Sequence, residues 1–386
     1  MKFLYIKKIL FFVSLVFLFS FISCSSKNQG KNLKKTSFAA PDFLEMQKTG
    51  SLNLLYAKEF SADFYGKSVL LKISGGQNFF IVEENSQVPK NLPEGTVVLK
   101  RSVLNVYLVS SSAMDFVCKL GAISNLAFSG VKKDAWFIPQ AKDAMENGKI
   151  LYAGKYNSPD YELLYSKKCS LAIENTMIFH SPQTKEKLEE IGIPVLVEKS
   201  TYENHPLGRL EWIKLYGILF DKLDEACSFY NSQIEKVLKF SADENTGKTV
   251  AFFYITSNGS VNVRKSGDYI SKMIEMSGGK YVLSDALPQE ENSLSTMNMQ
   301  FEKFYLEALD SDILIYNSTV DKNISSINSL LEKNPLLKDF KAFKEKKVYC
   351  VESNFFQETT GLADFMEDLH NIFYEGDAEF KYIRRL

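Results

Sequence analysis

Few side chains in this 386-residue sequence have the types and spacing that catalysis requires. The three histidines are far apart at His180, His205 and His370, and there is no CxxC pair, so no histidine- or cysteine-rich metal site is predicted. GxSxG, HExxH, P-loop and GxGxxG motifs are all missing, and neither His180 nor His370 has a recognisable Ser or Cys partner. The pattern favours binding over catalysis. An exported α/β hydrolase-like enzyme and a zinc- or manganese-binding protein with oxygen ligands remain as alternatives.

The first 24 residues have the pattern of an export signal. A basic start with three lysines is followed by an apolar run of 14 positions, from Ile9 to Ile22, which is too short for an ordinary membrane-spanning helix. Ser23-Cys24 ends the run, and the composition then turns polar. This arrangement resembles a bacterial lipoprotein signal. The resemblance implies that Cys24 is acylated and that the mature chain is anchored by lipid on the outer side of the cell membrane.

The bulk composition is that of a large folded protein. The apolar fraction is 45%, which permits a sizeable core, and 46 basic residues balance 47 acidic ones without a basic stripe. Nucleic acid is therefore not an expected partner. Cleavage before Cys24 would remove three lysines and leave a formal charge of −4. Four further cysteines then remain, as buried thiols or as disulfides: Cys118, Cys169, Cys227 and Cys350.

Two α/β lobes are predicted from the order of strand and helix patterns. Short β-like runs between residues 52 and 98 predict edge hairpins, and alternating strands and helices from 106 to 197 predict parallel βαβ units. From Leu207 to Phe240 apolar residues recur in steps of three and four, which predicts one continuous helix. A second α/β alternation follows. The predicted organisation is a signal peptide (1–23), a tether (24–50), an N-terminal lobe (51–205), a connecting helix (206–243) and a C-terminal lobe (244–386).

Four stretches of the chain, taken in order, resemble a known family. They are 186–195 (EKLEEIGIPV), 205–223 (HPLGRLEWIKLYGILFDKL), the helix and strand from Phe301 to Ile315, and 334–351, which begins with Asn-Pro. Together they resemble the substrate-binding proteins of ABC importers for iron-siderophores, haem and cobalamin, over roughly Leu99 to Tyr374. The resemblance implies two Rossmann-like lobes joined by one long backbone helix, with the ligand in the cleft between them.

That resemblance also implies a function and partners. The chain would capture a small metal chelate outside the cytoplasm and deliver it to an ABC permease dimer, as a monomer without enzymatic activity. Its ligand would be an iron-siderophore, haem or a corrinoid, so any iron or cobalt belongs to the ligand and the protein needs no cofactor of its own. The ligand loops carry no residue that distinguishes these three classes.

Loops at the carboxyl ends of parallel strands are expected to line the cleft. Aromatic residues there could stack on a chelate, Arg264 could bind an anionic group, and loop amides and hydroxyls could donate hydrogen bonds. Arg209 is left out because an ion pair with Glu211 is an equally good explanation for it. The predicted ligand-binding residues are Ser111, Tyr156, Asn157, Tyr202, Arg264, Phe355 and Gln357.

Two acidic residues are candidates for contact with the permease. In the family that the chain resembles, one acidic residue on the surface of each lobe pairs with arginines of the permease, and Glu162 and Glu302 match these positions. A glutamate in the first turn of a helix is also explained by the helix dipole alone.

Overall fold

The computed structural model describes residues 40–241, 243–284, 296–321, 324–376 and 379–386. The predicted signal peptide, Cys24 and most of the predicted tether lie outside these ranges. From Asp42 onward the chain is already part of the fold, because Asp42 bridges to Lys90 and Phe43 packs edge-on against Phe80 at 5.6 Å. The predicted tether therefore ends before residue 50.

The first element is a five-stranded sheet in place of the predicted edge hairpins. The first four strands are antiparallel neighbours in chain order, and the fifth pairs in parallel with the fourth. The strands are β1 (Gly50–Ser51), β2 (Phe60–Tyr65), β3 (Ser68–Ile73), β4 (Gln77–Val82) and β5 (Thr96–Lys100).

The N-terminal lobe has a parallel sheet in the order β12-β11-β6-β7-β8, as the alternating pattern predicts. A small antiparallel pair, β9 with β10, follows β8. The strands are β6 (Val106–Leu108), β7 (Leu126–Ser129), β8 (Leu151–Tyr152), β9 (Gly154–Lys155), β10 (Ser158–Pro159), β11 (Leu171–Glu174) and β12 (Val195–Val197). The helices are α1 (Ala113–Lys119), α2 (Pro139–Glu146), α3 (Tyr161–Ser166) and α4 (Pro182–Glu190).

The predicted continuous helix from 207 to 240 was wrong. The segment forms three helices: α5 (Pro206–Glu211), α6 (Ile213–Phe220) and α7 (Leu223–Ser241). Asp221 adopts a left-handed conformation (φ 60°), which ends α6. A Cβ on Gly217 would lie 2.8 Å from the Ala226 Cβ and 2.9 Å from the Leu223 Cα, so the close packing of α6 on α7 requires glycine.

The C-terminal lobe is built on a mixed sheet in the order β16-β14-β13-β17-β18-β19, with β15 paired to β13. Its strands are β13 (Thr249–Ile255), β14 (Val261–Arg264), β15 (Lys280–Tyr281), β16 (Thr296–Met299), β17 (Ile313–Tyr316), β18 (Val348–Val351) and β19 (Ile383–Arg385). Its helices are α8 (Tyr269–Met276), α9 (Phe301–Ala308), α10 (Ile327–Lys333), α11 (Lys341–Lys344) and α12 (Leu362–Phe373).

One apolar core runs through the three larger sheets. It includes Leu71 of β3, Leu108 of β6 and Phe252 of β13, together with Leu215 of α6, where every residue is buried. A second cluster covers the other face of the N-terminal lobe's sheet and includes Phe128. The α/β architecture predicted from the sequence is thus confirmed.

Candidate ligand-binding site

The two lobes meet around Arg209, a residue that the sequence analysis left out. Its side chain donates to the carbonyl oxygens of Thr201 (2.6 Å) and Glu203 (2.8 Å), in the loop after β12. The guanidinium carbon lies 3.6 Å from the ring centre of Tyr269, in the first turn of α8 in the other lobe. Arg209 therefore connects the ligand-side loop of the N-terminal lobe to the C-terminal lobe.

Arg264, at the end of β14, lies at the same junction. Its backbone N–H donates to the Tyr281 hydroxyl (3.0 Å), which donates in turn to the Arg264 carbonyl (2.8 Å). Its guanidinium lies 5.9 Å from the Tyr269 ring centre and 5.3 Å from that of Phe356. Asp268 is its ion-pair partner at 3.7 Å. Within the described ranges the guanidinium makes no hydrogen bond, so its N–H groups can still receive an anion.

Glu198 is a buried carboxylate on the ligand side of the N-terminal lobe. It follows β12 and is 1% exposed. Its carboxylate accepts hydrogen bonds from the Ser200 N–H (3.0 Å) and the Ser110 hydroxyl (3.3 Å). Burial raises the pKa of Glu198, and these hydrogen bonds oppose the rise. Ser111 is half-buried in the turn that Ser110 begins. The contact to Glu198 is thus made by Ser110, the residue before the predicted Ser111.

The first sheet reaches the same loop through the turn between β3 and β4. The Lys199 amine donates to the Ser74 carbonyl (2.6 Å) and hydroxyl (3.2 Å). It also lies 5.7 Å from the ring centre of Tyr202 and 5.9 Å from that of Phe179, which is half exposed. Tyr202 therefore lies beside a second aromatic residue and a cation, where an aromatic ligand group could stack.

The other predicted N-lobe residues lie in the turn between β9 and β10. Tyr156 is half-buried against the outer apolar cluster of the lobe, and Asn157 is exposed. Among the described residues, no hydrogen bond or ring contact links this pair to Arg209 or Arg264. They remain candidates at the edge of the lobe.

Two predicted ligand contacts have other roles in this structure. Phe355 is 1% exposed and stacks on Phe365 at 4.1 Å, so its ring belongs to the core and cannot face a ligand. The Gln357 amide accepts from the Phe137 N–H (2.8 Å) and donates to the Ala135 carbonyl (2.9 Å). Gln357 therefore joins the lobes, and both ends of its amide are already in use.

Sequence reasoning missed Arg209, Tyr269 and the part played by Phe356. The expected ion pair between Arg209 and Glu211 does not form, because Glu211 pairs with Lys214 at 2.7 Å. In the sequence alone, an arginine in a short helix looks the same whether or not it pairs with the glutamate two residues later, so the partners of Arg209 could not be predicted. Tyr269 begins a helix five residues after Arg264, and this short spacing was the only indication in the sequence that the two residues lie close together.

The predicted docking residues are both on the surface. Glu162 is exposed in the first turn of α3, and Glu302 is exposed in the first turn of α9. Neither makes an ion pair with another described residue. Their docking role stays a prediction.

Three further observations concern disulfides, metal ligands and membrane-spanning helices. Cys118, Cys169, Cys227 and Cys350 are all unbridged. In the described part of the chain, no three His, Cys, Asp or Glu side chains converge as metal ligands. No described helix combines the length and the apolarity needed to cross a bilayer.

Comparison with known proteins identifies the family. The family model described as periplasmic binding protein matches residues 117–354. An uncharacterized lipoprotein of Methanocaldococcus jannaschii is 22% identical over 332 residues, which are 80% of this chain and 76% of that protein.

Two solved structures share the fold. The periplasmic haem-binding protein of Vibrio cholerae superposes with a TM-score of 0.57 at 15% identity, over 71% of this chain and all of that one. A protein of an ABC-type Fe3+-hydroxamate transport system from Saccharomonospora viridis gives a TM-score of 0.52 at 20% identity, over 69% of this chain and 92% of that one. With the family match covering more than half of the sequence, the chain belongs to the periplasmic binding proteins, which bind substrates for ABC transport.

Proposed function

We propose that this chain is an extracytoplasmic lipoprotein that captures an iron-siderophore, haem or a corrinoid and delivers it to an ABC permease. The observation that carries the proposal is the junction between the lobes, where Arg264 is nearly buried beside aromatic rings and no described residue accepts a hydrogen bond from its guanidinium. Such a group suits a ligand that brings its own acceptor atoms into a largely apolar cleft. The binding residues proposed are Ser111, Tyr156, Asn157, Tyr202, Arg209, Arg264, Tyr269 and Phe356.

Binding to a defined panel tests the proposal. Purified protein is titrated with haemin, a ferric tricatecholate, a ferric trihydroxamate and cyanocobalamin, and binding is followed by absorbance and calorimetry. We expect saturable one-to-one binding of at least one of these chelates. Binding of none, together with tight binding of Zn²⁺ or Mn²⁺ alone, would favour the metal-binding alternative. Turnover of an ester or amide substrate would favour the enzyme.

Anchoring through Cys24 is part of the proposal. The apolar run that ends at Ser23-Cys24 supports it, and the M. jannaschii relative is named a lipoprotein. Labelled palmitate should enter the wild-type protein and be absent from Cys24→Ala. Equal labelling of both proteins would exclude this anchor.

Docking through Glu162 and Glu302 is the last part. One exposed acid on each lobe would fix the orientation of the chain on a permease dimer and speed their encounter. Replacing both by lysine should leave chelate binding intact and abolish uptake by whole cells. Normal uptake by the double variant at normal protein levels would count against these two residues and leave the solute-binding role standing.

A further inference from the structure

Helices α3 and α9 occupy equivalent places in the two lobes. Helix α3 precedes β11, which pairs with β6, the first strand of the N-terminal lobe's parallel sheet. Helix α9 precedes β17, which pairs with β13, the first strand of the C-terminal lobe's sheet. In both lobes, the strand on the other side of that first strand comes earlier in the chain than the helix. Because β8 and β16 run parallel to those first strands, both helices begin at the edge of the sheet where the parallel strands end. That edge faces the cleft, so the first turns of α3 and α9 flank the cleft on opposite lobes.

Each of these helices carries a large exposed apolar side chain one turn after its acid. On α3, Tyr165 follows Glu162 by three residues and is 67% exposed. On α9, Leu306 follows Glu302 by four residues and is 79% exposed. Residues three or four apart lie on the same helical face, so each lobe presents an acid and an apolar group together.

Single exposed apolar residues are ordinary on protein surfaces. What distinguishes this pair is its repetition on two topologically equivalent helices, each time beside an acid that makes no ion pair with a described residue. A partner that meets both lobes in the same way must itself offer two equivalent sites, as a dimer with twofold symmetry does.

We propose that Tyr165 and Leu306 are apolar anchors of the docking surface and that each inserts beside the salt bridge of its neighbouring acid into a subunit of a twofold-symmetric membrane permease. The inference rests on the proposed function. Buried apolar anchors contribute most of the affinity in protein interfaces, whereas rim charges chiefly set the orientation and encounter rate. The acids alone would then align the partners, and the two apolar side chains would hold them together.

A cavity beside Tyr165 fits this arrangement. It has a volume of about 400 Å³, and its apolar lining includes Ile191 and Ile193 next to Cys169. Tyr165 lines this cavity and Glu162 does not, so an apolar side chain of the partner could enter the cavity beside the tyrosine ring.

Four serine variants test the inference, two at the docking helices and two as controls. Leu44 and Leu238 are the controls, because they are similarly exposed (78% and 60%) but lie before β1 and late in α7, outside the two helices. In cells that lack the native copy, uptake is measured with the panel chelate whose import the wild-type chain restores. Tyr165→Ser and Leu306→Ser should each lower uptake about tenfold at limiting protein, and Leu44→Ser and Leu238→Ser should leave it unchanged.

Further measurements separate docking from folding and from the proposed function. All four variants should bind the chelate with wild-type affinity, and Tyr165→Phe and Leu306→Met should restore uptake. A photo-crosslinking amino acid at 165 or 306, but not at 44 or 238, should link the chain to an identified ABC permease subunit. Normal uptake in both docking variants, or equal crosslinking at all four positions, would overturn the inference. If the wild-type chain imports no chelate of the panel, the proposed function itself fails.

Discussion

Arg264 and Glu174 are buried ionisable side chains with few partners. Arg264 has Asp268 at 3.7 Å as its ion-pair partner, and neither carboxylate oxygen of Glu174 has a hydrogen-bond partner among the described residues. A buried polar group without partners is costly, so each needs a physical explanation. The location of Arg264 at the junction of the lobes points to ligand binding. Glu174 lies on the side of its strand that faces the outer apolar cluster.

Replacing Arg264 by methionine should lower chelate affinity by about 10- to 100-fold, which corresponds to the loss of hydrogen bonds to a charged donor. Methionine keeps much of the apolar packing against Phe356 and Tyr269, so the fold should survive. Arg264→Lys should recover only part of the affinity, because an ammonium cannot reproduce the planar, bidentate donor. Titration with the chelate that binds in the panel measures both effects.

The control for Arg264 is Arg385→Met, since Arg385 is exposed on the last strand, where its side chain donates to the Lys346 carbonyl. It should bind the chelate like the wild type. If Arg264→Met also binds like the wild type, Arg264 has no place in the ligand site.

Glu174 should make stability depend on pH. Burial raises its pKa from 4.5 to about 8, so between these values the folded protein keeps a proton that the unfolded chain has lost. The free energy of unfolding should therefore fall as pH rises from about 4.5 to 8, by at most about 1.4 kcal/mol per pH unit. In Glu174→Gln, which is neutral throughout, this fall should vanish, as urea unfolding at several pH values would reveal.

The exposed Glu186 on α4 supplies the comparison for Glu174. Glu186→Gln should follow the wild-type stability profile across the same range of pH. A Glu174→Gln protein with that same profile would show that Glu174 is ionised in the folded state.

At the scale of elements, two buried carboxylates fasten the chain before β2 to the segment between the lobes. Glu211 accepts hydrogen bonds from the N–H groups of Leu55, Tyr56 and Ala57 at 2.8–3.0 Å. Glu203 accepts from the next two residues of the same stretch at 2.9–3.0 Å, and from the Trp212 indole at 3.0 Å. The first sheet is thereby fixed to the helices that connect the lobes.

Glu211→Gln should lower the free energy of unfolding by about 3 kcal/mol. The new amide would turn a donor toward backbone N–H groups and leave the buried Lys214 amine without its counter-charge. Glu235→Gln, at an exposed position of α7, should stay within about 0.5 kcal/mol of the wild type. Equal urea midpoints for both variants would mean that Glu211 does not fasten the chain.

How far the sequence could be interpreted depended on whether the signal was local. The α/β alternation predicted for the C-terminal lobe is present, as in helix Tyr269–Met276 and strand Ile313–Tyr316, because an apolar run or period and its flanking breakers are contiguous in the sequence. The connecting segment kept a helical period across two breaks, and a left-handed Asp221 leaves no trace in that period.

The site was less predictable than the elements, because its contacts join residues that are far apart in sequence. A loop phenylalanine such as Phe355 has the same sequence signal whether its ring faces a ligand or, as here, Phe365. The roles of Glu211 and Gln357 depend on partners more than 150 and 200 residues away.

At the scale of the whole molecule, direct hydrogen bonds join the lobes. Besides the Gln357 amide, the Thr359 hydroxyl donates to the Ser112 carbonyl (3.1 Å), and the Thr360 N–H donates to the Asp115 carboxylate (2.6 Å). One stiff connecting helix, as predicted from the sequence, would lead us to expect only a small closure of the lobes on ligand binding. With that helix interrupted, these bonds and the shared core are the better reason for the same expectation.

Small-angle scattering with and without the bound chelate should give nearly equal radii of gyration for the wild type. In the double variant Gln357→Ala/Thr359→Val, which loses three hydrogen bonds between the lobes, the ligand-free radius should increase and the change on binding should become larger. Gln183→Ala, at an exposed position, should match the wild type. A large compaction of the wild-type protein on binding would contradict this prediction.

The apolar core that runs through the three larger sheets makes the described chain one cooperative folding unit. Leu71, Leu108 and Phe252 belong to three different sheets and to one cluster, so none of these sheets can unfold without exposing core residues of the others. The stretch that matches the family, 117–354, begins after β6 and ends before α12. It would lack the central strand of one lobe and a core helix of the other, so it should not fold by itself.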